Sequence, residues 1–179
     1  MKLDFILKET VDDNLLSTYR NILPENLIYI WENYGFGCFA NGFIKVVNPN
    51  DYADLLKELY QSPINKNPTV MFITGMGDII VWENDFTVFL NLKKGKTKVI
   101  ESGFQYFIDD VSDVSFLEEE LDNKNFINGS IKLGDLAYDE CYGYFPLIGM
   151  GGFEKIENLK KIKIKEYISI SAQTLGKIR

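Results

Sequence analysis

Whatever chemistry this chain performs, it performs without histidine, because none occurs among its 179 residues. That removes Ser-His-Asp triads, Cys-His dyads, histidine zinc sites and imidazole pH switches. Glycine turns, carboxylates and two cysteines remain. The segment Gly35-Phe-Gly37-Cys-Phe-Ala40 satisfies the permissive GxGxxG/A fingerprint. A dinucleotide site, however, needs strand, glycine turn and then helix, and here a helical pattern comes first and a strand follows. A helix stop and tight turn is the reading that fits. Gly75-Met-Gly77-Asp78 and Gly149-Met-Gly-Gly152 lack the GK[ST] ending of a phosphate loop, so they read as turns or close backbone contacts. Two carboxylates can share acid and base roles, but in Asp12-Asp13, Asp109-Asp110 and Glu118-Glu119-Glu120 neighbours point to different faces of a helix or strand. Asp109-Asp-Val-Ser-Asp113 echoes a calcium loop without its glycine or distal glutamate. Cys38 and Cys141 form neither a CxxC pair nor a disulfide framework, and read as buried, inert thiols of a reducing cytoplasm. No catalytic, cofactor or metal residue is assigned.

The elements that would position these groups alternate in type. Leu23, Leu27, Ile30, Trp31 and Tyr34 recur at helical spacing from Leu23 to Gly35, with Pro24 in the first turn, and a weaker helix begins after Asp12 or Asp13, so the first 35 residues read as helical. Phe43 to Val47 reads as a strand. Asn48-Pro49 then opens a helix carrying Tyr52, Leu55, Leu56, Leu59 and Tyr60. From residue 69 to 101, four β-rich runs (70–74, 79–83, 87–92 and 97–101) separated by turn residues predict an antiparallel meander. Three helices follow from Phe104. The glycine-rich Tyr142 to Phe153 reads as an extended stretch packed closely on other backbone, before a short strand near Leu159 to Ile162 and a last helix stopped by Gly176. The fold class is α+β, an antiparallel sheet packed with N- and C-terminal helices.

Charge narrows the partners. Nineteen basic against 26 acidic residues give a net charge of −7 and a pI near 4.7, a balance that repels phosphate backbones and anionic lipids. No apolar run approaches the length of a membrane span. Nucleic acid and membrane are therefore not the expected partners. The acidity is concentrated: residues 101 to 140 hold eleven carboxylates and two lysines, Lys124 and Lys132.

A family resemblance accompanies this pattern. Tyr34-Gly-Phe-Gly-Cys-Phe-Ala-Asn-Gly-Phe-Ile-Lys-Val-Val-Asn-Pro49, then Tyr52, Leu55-Leu56 and Thr74-Gly-Met-Gly-Asp-Ile-Ile-Val-Trp-Glu83, resembles the GAD-like domain of bacterial immunity proteins. Leu133-Gly-Asp-Leu-Ala-Tyr-Asp-Glu-Cys-Tyr-Gly-Tyr-Phe-Pro-Leu-Ile-Gly-Met-Gly-Gly152, with Asn158-Leu-Lys-Lys-Ile-Lys163 and the final helix, resembles the C-terminal domain of type VI secretion immunity proteins that neutralise a DNase effector. The resemblance implies two segments, 1–103 and 104–179, in one continuous globular unit. It also implies a cytoplasmic, non-enzymatic protein without cofactors, monomeric or in a 1:1 complex with a cognate toxin. A nuclease toxin is basic because it holds phosphate backbones, so complementarity of charge designates Asp109, Asp110, Asp113, Glu118, Glu119, Glu120 and Asp122 as toxin-binding residues. The alternative is a small-ligand module or carboxylate-dependent hydrolase with a pocket beside Gly149 to Gly152, where two or more of Asp78, Asp135, Asp139 and Glu140 would converge.

Overall fold

The computed structural model describes residues 4–64 and 66–179. Its centre is a seven-stranded sheet in which each strand pairs antiparallel with the next in sequence. The strands are β1 (Ile6–Glu9), β2 (Phe36–Phe39), β3 (Ile44–Val46), β4 (Thr69–Thr74), β5 (Ile79–Glu83), β6 (Phe86–Asn91) and β7 (Lys96–Ser102). The predicted meander is β4 to β7. Two further strands differ from the sequence reading. β1 lies in the stretch read as helical, since four residues, all exposed, offer too little alternation to register as a strand. β2 lies where a turn was expected: Gly35, at φ +76°, ends the helix alone, and the chain runs straight into the sheet. Gly37 permits this pairing, because a Cβ there would collide with the backbone oxygen of Ile6.

Between β1 and β2 lie α1 (Asp13–Tyr19) and α2 (Glu25–Tyr34). Asp12 caps α1 by accepting from the N–H groups of Asn14 and Leu15 at 2.9 and 3.0 Å. Asn48 caps a single 3-10 turn, Pro49–Asp51, that leads into α3 (Ala53–Leu59). After β7 come α4 (Phe107–Asp110), α5 (Val114–Glu119) and α6 (Phe126–Leu133). A separate hairpin, β8 (Glu140–Tyr144) with β9 (Leu159–Lys163), precedes α7 (Ile164–Leu175). The glycine-rich segment is thus extended only at its start. Beyond Tyr144 it folds back through a 3-10 turn, Ile148–Met150, and a Cβ on Gly152 would collide with the carbonyl of Pro146.

Both faces of the sheet are covered, which is why its central strands are apolar throughout and do not alternate. Phe72 joins one core with Trp31, Phe39, Phe104, Phe107 and Tyr142, stacking on Phe107 at 5.3 Å and Phe104 at 5.9 Å. Its neighbour Ile73 faces the other core with Leu59, Val81, Leu90, Tyr167 and Ile168. Each core takes residues from before and after Gly103.

The β4–β5 turn is the place where the two parts of the chain lock together. Gly75 accepts a hydrogen bond from Tyr142 N–H at 2.8 Å. The Phe126 ring covers Gly75 so closely that a Cβ would collide with it, and a Cβ on Gly77, at φ +82°, would stand 2.5 Å from Tyr167. Next to this turn, Lys93 is buried and grips Asp122 at 2.9 Å and Glu154 at 2.6 Å, with the Tyr144 ring 5.8 Å away.

Candidate functional site

The acidic stretch falls into two environments. Asp109 and Asp110 stand exposed on α4. Asp113, also exposed, caps α5 by accepting from Ser115 N–H at 2.7 Å. Further along, α5 lies opposite the β6–β7 turn across a groove of about 310 Å³ lined by Lys94, Lys96 and Lys98 on one side and Glu118, Glu119, Glu120 and Asp122 on the other. Glu120 pairs with Lys98. Asp122 is held by Lys93 and Lys94 at 2.9 and 2.7 Å and by the Asn91 amide at 2.9 Å. Burial works to raise the pKa of Asp122, but these hydrogen bonds outweigh it and keep the carboxylate below its ordinary range. Glu118 and Glu119 remain exposed, facing lysines across the groove. Of the seven carboxylates, Asp109, Asp110 and Asp113 are exposed and make no ion pair among the described residues, while Glu120 and Asp122 are paired with lysines of the β6–β7 hairpin.

Around the outward three lie side chains that charge counting does not find. Tyr106 and Val114 are about 60% exposed, and Tyr29 on α2 is 53% exposed. A cleft of about 350 Å³ between α2 and the start of α4 is lined by Asn26, Tyr29, Gln105, Ile108 and Asp109. Tyrosines beside a charged rim are a composition that favours protein contacts. Tyr29 could have been noticed in the sequence, since it lies off the apolar stripe of α2 formed by Leu27, Ile30, Trp31 and Tyr34. A second groove, of about 480 Å³, opens further along α2 against α1 and β1.

Of the carboxylates named for a hydrolase, Asp139 and Glu140 meet only by sharing Lys163, at 2.9 and 3.5 Å. Asp78 is fully buried, with Oδ1 accepting from Leu92 N–H at 2.7 Å. Burial pushes its pKa up to about 7, against the pull of Lys93 and that hydrogen bond. Asp139 is tied to Lys163 at 2.9 Å, and its pKa is lowered by that hydrogen bond. Glu140 accepts from Ala137 N–H, which lowers its pKa in turn. Asp135 is exposed and lines a different groove, beside Lys45 and Leu136. The cavity beside Gly149 is only about 10 Å³, too small for more than a water, and its lining contains none of the four.

Cys141 is buried, and burial raises its thiol pKa. Cys38 departs from expectation in being only half-buried, opposite Lys45 in the β2–β3 register. Burial also lowers the pKa of Lys45, whose ammonium donates to the Ala137 carbonyl at 2.9 Å and lies 5.9 Å from the Tyr138 ring. Among the described residues, no group of three Cys, Asp or Glu side chains is gathered to hold a metal ion. Among them too, no helix is long and apolar enough to cross a membrane.

What the structure assembles is an acidic, tyrosine-bearing surface on a two-sided α+β body. The chain belongs to the GAD-like domain family, whose model matches residues 4–94, and residues 101–174 match the model of the T6SS immunity protein Tdi1 C-terminal family. Both resemblances read from the sequence are thereby met, in the same order along the chain. The fold is similar to that in the crystal structure of Atu4351 from Agrobacterium tumefaciens, with a TM-score of 0.76 and 20% identity over 94% of this chain and 85% of that one. A comparison with curated proteins gave no match.

Proposed function

We propose that this protein is a cytoplasmic immunity protein that binds a cognate toxin of type VI secretion, a basic nuclease, in a 1:1 complex and blocks it without chemistry of its own. The match of residues 101–174 to an immunity family carries this reading. The outward charge of Asp109, Asp110 and Asp113, beside exposed Tyr29 and Tyr106, supports a basic partner. A basic protein is drawn to such a face over roughly a Debye length, about 8 Å at physiological salt, and tyrosines supply contact area once it arrives. Glu118 and Glu119 lie at the margin of that face, and Glu120 and Asp122 serve the fold. The two family segments act as one body, because both cores are built from each of them. The test is genetic and physical together. Deleting the gene while the adjacent open reading frame is kept intoxicates the cell, re-expression rescues it, and the purified pair forms a complex. A deletion without effect on competition between siblings, together with no complex, overturns the proposal.

A further inference from the structure

Lys93 is a buried pin between the two parts of the chain. Its side chain is 3% exposed, and its ammonium holds Asp122 at 2.9 Å and Glu154 at 2.6 Å. The two partners are not equally secured. Asp122 also takes Lys94 at 2.7 Å and the Asn91 amide at 2.9 Å, whereas Glu154, 39% exposed, has Lys93 as its one side-chain partner among the described residues. A third carboxyl, Asp78, belongs to the same cluster. Its Oδ1 accepts from the N–H of Leu92, the residue before Lys93, while its buried Oδ2 has no partner among the described residues. A carboxyl in that position keeps its proton or finds a cation. Burial pushes its pKa up to about 7, so the choice falls near neutral pH. Of the other titratable groups around Asp78 and Lys93, Cys141, Tyr144 and Tyr167 have pKa values raised by burial and stay neutral, and Lys94 and Asp122 already hold each other. Lys93 is the cation left for Asp78 to draw on.

We propose that Asp78, Lys93 and Glu154 form a pH-operated latch: while Asp78 is protonated, Lys93 holds Glu154 and with it the segment from Leu147 to Ile156, and when Asp78 ionises, Lys93 turns to it and releases Glu154. The ammonium has to move to do so, because its ion pairs are with Asp122 and Glu154 and not with Asp78. Glu154 is the partner given up, since water replaces Lys93 at an accessible carboxylate at little cost while Asp122 stays fixed by Lys94 and Asn91. The segment lies against this spot, Leu147, Ile148 and Gly149 sharing a small cavity with Leu92 and Lys93. Its remaining ties are internal or at its end: Gly152 N–H to the Leu147 carbonyl at 3.0 Å, Asn158 Nδ2 to the Phe153 carbonyl at 2.8 Å, and Lys132 Nζ to the Ile156 carbonyl at 3.0 Å. The part that Glu154 tethers carries Met150 and Phe153, 67% and 68% exposed. The latch therefore sets how firmly two apolar side chains are presented at the surface.

The experiment uses the full chain and needs no partner. Lys155 offers trypsin a site inside the segment. From about one pH unit below the Asp78 midpoint to about one above it, the ionised fraction rises from roughly a tenth to roughly nine tenths. Cleavage after Lys155, normalised to an unstructured peptide of the same sequence, is therefore expected to be about tenfold faster at about pH 8 than at about pH 6. In NMR spectra the amides of Met150 to Lys155 are expected to shift with the same midpoint as the Asp78 carboxyl carbon. Asp78→Asn, which cannot ionise, is expected to stay resistant at both pH values, and Glu154→Ala to be cut at the fast rate at both. If the wild type is cut equally at both pH values, or if Asp78→Asn keeps the pH dependence, the latch does not exist. It is overturned equally if Glu154→Ala is as resistant as wild type at about pH 6, or if cleavage at sites throughout the chain rises in parallel, which would mark loosening of the whole fold. The immunity reading stands or falls on toxin binding and is untouched by any of these outcomes.

Discussion

Asp78 couples the stability of this fold to pH in a direction opposite to that of most carboxylates. It is fully buried, Oδ2 has no partner among the described residues, and its pKa is pushed from 3.8 to about 7. A carboxyl whose folded pKa lies above its unfolded value keeps a proton that the unfolded chain releases. Its contribution to stability is therefore greatest below the unfolded pKa, declines as pH rises through the interval, and levels off above the folded pKa. At about 1.36 kcal/mol per unit, a gap of roughly 3 units corresponds to about 4 kcal/mol in total. Asp78→Asn retains an acceptor for Leu92 N–H and cannot ionise. The assay is urea unfolding of variant and wild type across a pH series. The stability of Asp78→Asn minus that of wild type should grow by about 2.5 kcal/mol between about pH 5 and pH 8 and then flatten. Asp122, Asp139 and Glu140 have lowered pKa values and lose their stabilisation as pH falls. They do so in both proteins, so the difference isolates Asp78. A difference that stays constant over this range refutes the reasoning, and one that shrinks with rising pH would mean that Lys93 outweighs burial.

Asp109→Lys with Asp110→Lys should slow association with the toxin about tenfold and flatten its salt dependence, measured by stopped-flow at several ionic strengths, while unfolding stability moves by less than about 0.5 kcal/mol. Asp122→Ala should behave oppositely, costing about 3 kcal/mol in chemical denaturation because it strips a partner from buried Lys93. Gly77→Ala should cost about 2 kcal/mol or more, since the new methyl meets Tyr167 at a positive φ. Phe72→Ala should cost about 4 kcal/mol, the usual toll for emptying an aromatic stack in a core.

Local pattern carried most of the architecture. The runs at 70–74, 79–83, 87–92 and 97–101 became β4 to β7 within a residue or two, and Asp12, Asn48, Gly35 and Gly176 start or stop helices where their side chains or dihedral freedom indicate. β1 was not legible because its pairing with β2 is made across two intervening helices, and β2 was hidden by glycines whose purpose is to let β1 approach. The acidic stretch was legible as composition but not as a surface. Whether a carboxylate points at solvent or at a lysine depends on α5 folding against the β6–β7 turn, a contact that no local spacing encodes.

The turn at Gly75 and Gly77 has an implication for how such proteins diversify. Its backbone is roofed by Phe126 and Tyr167, rings supplied from beyond Gly103. Recombining one segment with its counterpart from a distant relative would set a foreign ring, or a hole, over that closely covered backbone. Point changes on the exposed faces of the helices leave that packing intact, whereas exchange of a whole segment does not.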